Sequence, residues 1–145
     1  FGLTLPRVMF IQLAAIYSVQ SRSRAVYLTR GETLAMEWIE ANLPAEALIL
    51  AAPDTGLLIP AHTGLRVIYG HPFETVNAQK EKESVEKFFR ADSWTDTQRQ
   101  EFLQQRRINY LFFGPRERAL GQPEILKTFR AVYQTDQVTI YAIQP

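Results

Sequence analysis

Ala47-Leu48-Ile49-Leu50-Ala51-Ala52, followed at once by Pro53-Asp54-Thr55-Gly56, is the stretch on which the fold turns. Six apolar residues in a row, with no polar alternation, suit a strand buried on both faces. Such strands belong to parallel sheets covered by helices. The Pro-Asp-Thr-Gly that follows reads as a turn, with Asp54 as the expected N-cap of a short helix over 56–62 that stops at Gly64.

Upstream, Thr29 and Glu32 have capping-box spacing, and Leu34, Ala35, Trp38 and Ile39 make one apolar helix face that ends at Pro44. Downstream, 66–69 is a second strand and 70–75 a loop. Thr75 or Asn77 then caps a helix to about Arg90, with Val85, Phe88 and Phe89 turned inward. A Thr-x-x-Gln start opens a further helix over 95–107, and 108–113 is a third buried strand. Gly114-Pro115 begins a short helix through Leu120, Gly121-Gln122-Pro123 breaks the chain, and 124–127 suits one more helical turn. The β-branched and aromatic runs 129–134 and 138–143 are separated only by Thr135-Asp136-Gln137, so they predict an antiparallel hairpin.

Alternation of helix and buried strand predicts an α/β fold in three layers: a mostly parallel sheet of about five strands, helices on both faces and a C-terminal antiparallel hairpin. The single domain is expected over 25–145. Residues 1–24 stand apart, with Leu5, Met9, Leu13 and Ile16 at helical spacing. They read as an amphipathic segment packed on the domain or as a juxtamembrane segment. The apolar stretch 8–19 is interrupted by Gln12, flanked by Arg7, and falls short of the roughly 20 residues of a membrane span. Residues 18–24 are polar and basic, as a linker would be. A chain that opens on Phe1 is expected to be a piece of a longer polypeptide.

Composition narrows the function classes. Of 145 residues 46% are hydrophobic and 21% charged, enough apolar matter for a core and unlike a disordered segment. Sixteen basic against fifteen acidic residues leave a formal charge of +1, so the basic stripe that nucleic acid requires is missing. The chain has no cysteine, which excludes disulfides, thiolate metal sites and thiol nucleophiles. It also lacks a Gly-x-Ser-x-Gly elbow, a His-Glu-x-x-His motif and a Gly-x-Gly-x-x-Gly motif.

Ligands of open α/β sheets bind at the carboxyl ends of the strands. Three loops leave that edge: 53–56, 70–75 and 114–118. They carry the candidate ligand-binding residues Asp54, His71, Glu74, Thr75, Arg116, Glu117 and Arg118, with Lys80 at the start of the following helix. His71 and Glu74 have the chemistry of a general base with an orienting carboxylate, which keeps a small hydrolase in view. As metal ligands they lack a third partner, since His62 is the only other histidine. The simpler reading has them bonding loop amides and helix N-termini. For Arg116 and Arg118 it has one of them paired with a carboxylate across the loop, Glu74 among the options. No catalytic residue, metal or cofactor is assigned.

Several ordered pieces resemble a known class. Glu37-Trp38-Ile39-Glu40-Ala41-Asn42-Leu43-Pro44 is similar to the helix that opens extracytoplasmic C-terminal domains of polytopic bacterial membrane proteins. Ile59-Pro60-Ala61 follows, then Gly70, His71, Glu74, Thr75 and Lys80, then Tyr110, Phe112, Gly114, Pro115, Glu117 and Arg118, and last Ile140-Tyr141. The set resembles GT-C-type glycosyltransferases, which use polyprenyl-phosphate sugars. The resemblance implies a soluble domain at the cell membrane, on its extracytoplasmic side, joined to a membrane-embedded part of the same polypeptide. It implies an accessory role toward a polyprenyl-linked sugar or glycan acceptor. Catalysis would belong to loops between membrane helices that this chain does not include. The alternative is an independent α/β module that binds a small ligand or regulates.

Overall fold

Thr29 starts the first helix as its spacing predicts. Its hydroxyl accepts the Glu32 amide at 3.2 Å, and the Glu32 carboxylate accepts the Thr29 amide at 3.1 Å. Two otherwise orphaned donors are thereby satisfied at one helix end. The computed structural model describes residues 28–73 and 75–143. The expected segment 1–24 lies outside these residues, as does Glu74.

The elements run α1 (Arg30–Asn42), β1 (Leu48–Leu50), α2 (Pro53–Thr63), β2 (Arg66–Val67), α3 (Ala78–Phe89), α4 (Asp96–Gln105), β3 (Tyr110–Phe113), α5 (Pro115–Leu120), a 3₁₀ turn (Glu124–Thr128), β4 (Arg130–Gln134) and β5 (Thr139–Ala142). The strands form one mixed sheet in the order β2-β1-β3-β5-β4. β1 pairs in parallel with β2 and β3, with Ile49 opposite Val67 on one side and Tyr110 on the other. β5 pairs antiparallel with β3 and β4, with Phe112 opposite Ile140.

"Mostly parallel" therefore needs correction: parallel and antiparallel pairings are equal in number. The closing hairpin adds its second strand directly to β3, and β2 is only two residues long. Beyond Val67 the chain turns across α2, close enough that a Cβ on Gly56 would lie 1.9 Å from the Tyr69 carbonyl oxygen.

Side chains alternate between the two sheet faces. Ile49, Phe112 and Ile140 pack with Met36 and Ile39 of α1 and Ile59 of α2. Leu50, Leu111 and Phe113 pack with Phe88 and Phe89 of α3 and Phe102 and Leu103 of α4. Helices thus cover both faces, and the continuously apolar run at β1 is explained: its neighbours in sequence feed opposite cores.

Two helix starts differ from expectation. Ala52, not Asp54, is the N-cap of α2, and Pro53 opens the helix. Proline at the first position has no amide to satisfy and a preset φ, so it moves the start three residues upstream of Gly56 and puts Asp54 inside the first turn. Asn77 is the N-cap of α3, but in the left-handed region at φ 54° and without a side-chain cap bond. The Thr75 hydroxyl instead donates to the His71 carbonyl at 2.9 Å. Thr95 caps α4 with Gln98 as its reciprocal partner, as the sequence pattern predicts.

Candidate functional site

A cleft of about 930 Å³ opens at the carboxyl ends of β1 and β3. Its position follows from the strand order. The chain leaves β1 through α2 toward β2 on one side, then returns through α3 and α4 to β3 on the other. The two crossovers diverge between β1 and β3, and the crevice left there is where open α/β sheets hold ligands.

Two parallel devices make the floor. β1 runs into Ala52-Pro53-Asp54 and β3 into Gly114-Pro115-Arg116; each is an N-cap followed by a helix-opening proline. The carboxylate of Glu117 lies beneath both, fully buried. Its Oε1 accepts the Ala52 amide and its Oε2 the Gly114 amide, each at 2.9 Å. One side chain thus ties the two N-caps together. Burial pushes the Glu117 carboxyl above its ordinary value; the hydrogen bonds from Ala52 and Gly114 act in the opposite sense and do not cancel it. The Thr55 hydroxyl faces the same carboxyl, in a contact that lacks regular hydrogen-bond geometry.

The walls carry further polar groups. Arg116 meets Glu32 at 2.8 Å, with side chains 14% and 2% exposed. Because Glu32 is already held by the Thr29 amide, it fixes the guanidinium against the α1 wall. Lys82 and Glu86, one turn apart on α3, face the cleft with Asp54, and Leu120 gives it an apolar margin. Cationic, anionic and apolar groups therefore surround one space.

The candidates separate into three groups. Asp54 and Arg116 line the cleft, with Glu117 directly below. Arg118 points away: it donates to the Gln137 carbonyl at 2.5 Å and lies 5.5 Å from the Phe113 ring centre, bracing α5 on the hairpin turn. His71, Thr75 and Lys80 do not enter the cleft. His71 Nδ1 accepts the Phe73 amide at 3.2 Å, and its carbonyl accepts from Thr75, so this pair holds its own loop. Arg116 does pair with a carboxylate, Glu32 of α1; Glu74, the option named from the sequence, lies outside the described residues. Lys80 is exposed on α3, and Lys82 is the lysine at the cleft.

Sequence reasoning placed Glu32 only as a capping residue, selected Lys80 from the pair of lysines able to reach back over the loop edge and so left out Lys82, and did not select Glu86. A signal existed for the last two. They are spaced i, i+4 and flank the inward-facing Val85, which sets them at the edge of the buried face.

A smaller recess of about 410 Å³ lies beside β2, where Glu81 pairs with Arg106 at 2.5 Å. Among the described residues no group of three or more His, Asp or Glu side chains comes together as a metal would require, and no helix is long and apolar enough to cross a membrane.

A three-layer α/β domain with a cleft at the strand ends is the class that fold and site define. No protein-family model matches the chain, and no curated protein matches it either. Among solved structures it is similar to the C-terminal globular domain of an oligosaccharyltransferase from Archaeoglobus fulgidus. The TM-score is 0.58 at 15% identity, over 81% of this chain and 99% of that one. At this identity the likeness establishes the fold.

Proposed function

We propose that this chain is an extracytoplasmic accessory domain of a polytopic membrane glycosyltransferase-like protein, not catalytic by itself, whose cleft helps hold a sugar or glycan acceptor. The observation that carries the reading is the likeness to an oligosaccharyltransferase's C-terminal domain across nearly all of that domain. The ordered sequence pieces that resemble GT-C-type proteins support it independently, since they include Ile59-Pro60-Ala61 on α2 and Gly114-Pro115 at the cleft floor. The chemistry of the cleft is compatible. Arg116 is already neutralised by Glu32, while Asp54, Lys82 and Glu86 offer both donors and acceptors. Mixed donors and acceptors beside an apolar margin suit sugar hydroxyls and a sugar ring face better than a highly charged ligand.

The test is a titration of the domain with oligosaccharides and with polyprenyl-phosphate sugar analogues, read by amide chemical shifts. Binding at the cleft shifts the amides of Asp54, Lys82 and Arg116, and ligand at 100 times Kd stabilises the fold by about 2.7 kcal/mol. Shifts confined to other faces, or none at saturating glycan, overturn the reading. Reporter fusions to the intact gene product check the side of the membrane.

The second reading, a free-standing module for a small anionic ligand, draws on the two proline-led helix starts that face the cleft. Stabilisation by nucleotides or inorganic phosphate, with no response to glycans, would select it.

A further inference from the structure

We propose that the cleft edge of the domain faces a lipid bilayer surface, and that Phe73 and Val76 insert into it. The proposal rests on the membrane-attached part of the reading above and adds an orientation to it. Three observations meet at this edge.

First, β1, β2 and β3 are parallel, so their carboxyl ends share one edge of the sheet, and the segment leaving β2 starts at that edge, on the far side of β1 from β3. That segment exposes two large apolar side chains, Phe73 at 84% and Val76 at 83%. Elsewhere among the described residues the core is well covered, and only Leu34 at 41% joins them as an exposed large hydrophobic. Second, Thr29 lines the cleft, so the chain enters the domain at this same edge. Third, the sequence that enters there contains the apolar stretch 8–19, followed by Arg22 and Arg24. Nine residue steps separate Val19 from Leu28; fully extended they reach roughly 30 Å. Whatever surface holds 8–19 therefore lies within about 30 Å of the cleft edge.

A bilayer fits these features better than another occupant. The stretch 8–19 is too short to span and is followed by arginines, the pattern of a segment lying at the headgroup boundary near anionic lipid. Phe73 and Val76 are isolated exposed side chains, and Val76 also borders the small recess beside β2. A helix of the same chain needs a matching apolar stripe to pack, whereas a continuous apolar phase accepts isolated side chains. In this orientation the cleft opens toward the layer that holds a lipid-linked ligand.

The absence of cysteine makes the test clean. Phe73→Cys, Val76→Cys and Glu46→Cys are each labelled with an environment-sensitive fluorophore on the full 145-residue chain. Glu46 is exposed just before β1, at the opposite edge. The chains are mixed with vesicles of phosphatidylcholine and phosphatidylglycerol, and sedimentation is read alongside emission. The expected result is co-sedimentation, with blue shifts at 73 and 76 and none at 46. Co-sedimentation with unchanged emission at 73 and 76 overturns the orientation and leaves membrane attachment standing. A chain that stays in the supernatant overturns the lipid proposal and counts against membrane attachment by this segment. Glycan binding in the absence of vesicles reads the cleft separately. The Phe73→Ser, Val76→Ser double variant should lower vesicle partitioning by about tenfold or more, the loss expected when side chains of this size stay in water. Its melting temperature should stay unchanged, because both side chains are exposed; equal partitioning in variant and parent refutes insertion.

Discussion

The Glu117 carboxylate accepts the amide of Ala52, 65 positions earlier in the chain, at 2.9 Å, inside a fully buried pocket. With its second oxygen on Gly114, it couples the exits of β1 and β3, the two central parallel strands. Glu117→Ala leaves two buried amides without an acceptor. Each unmade bond costs about 1–3 kcal/mol, so a loss of about 2–6 kcal/mol is expected in urea unfolding. A loss below about 0.5 kcal/mol, the usual range for surface changes, would show that the brace carries no stability.

The same carboxyl sets a pH dependence with a definite sign. Its folded pKa is raised by burial, above an ordinary value of 4.5. The folded state then holds its proton more tightly than the unfolded chain does. The resulting stability is present in full below the ordinary value and is lost as pH rises through the folded pKa. Glu117→Gln cannot ionise. The stability of the parent relative to this variant should therefore fall as pH rises above 4.5, in parallel urea titrations. A parent that gains on the variant over that range would reverse the assigned sign.

Gly56 inside α2 and Gly64, its C-cap, make a contrast. A Cβ on Gly56 meets the Tyr69 carbonyl oxygen at 1.9 Å, backbone that cannot swing aside. A Cβ on Gly64 meets nothing, and only its φ of 74° opposes it. Gly64→Ala should cost about 1–2 kcal/mol, the left-handed penalty. Gly56→Ala should cost more, by about 1–3 kcal/mol for forced overpacking, and should shift the amides of residues 68–73. Equal thermal shifts for the two would disprove the close approach.

Thr95→Ala is expected to cost about 1 kcal/mol, the worth of an N-cap side chain. Thr29→Ala should cost more, because the Thr29 hydroxyl also donates to Gln137 at 3.0 Å, joining α1 to the hairpin turn. Unfolding of both variants under one condition checks the order. These caps also show what was legible in the sequence. Thr29 with Glu32 and Thr95 with Gln98 are local devices, complete within four residues, and both helices start where the spacing says. The apolar run at β1 was equally readable, as was the hairpin, since period and turn chemistry are local too. The number of parallel neighbours was not readable, because β5 pairs with β3 through contacts more than two dozen residues apart.

The site was legible at the level of loops and not of side chains. A strand-end edge can be named from alternation alone, and 53–56 and 114–118 do frame the cleft. Which charges face it depends on packing. Glu32 was hidden because its capping role and its hold on Arg116 use different oxygens of one carboxylate. Asp54 misled as a cap because Pro53 claims the first helical position.

Lys82 and Lys80 supply the test of that distinction. Both are cationic and two residues apart, but only Lys82 lines the cleft, beside Glu86 and opposite Arg116. Neither holds the core, so Lys82→Ala and Lys80→Ala should each change stability by no more than about 0.5 kcal/mol. If the cleft takes a glycan, losing a charged hydrogen bond at Lys82 should weaken binding by about tenfold or more, at about 1.5–3 kcal/mol for such a bond. Lys80→Ala should bind as the parent does. Arg116→Ala should weaken binding and also destabilise the fold, because it strands Glu32 in a site where only 2% of its side chain is exposed. A titration in which Lys80→Ala loses affinity and Lys82→Ala does not would move the site off the β1–β3 crevice and onto the outer face of α3.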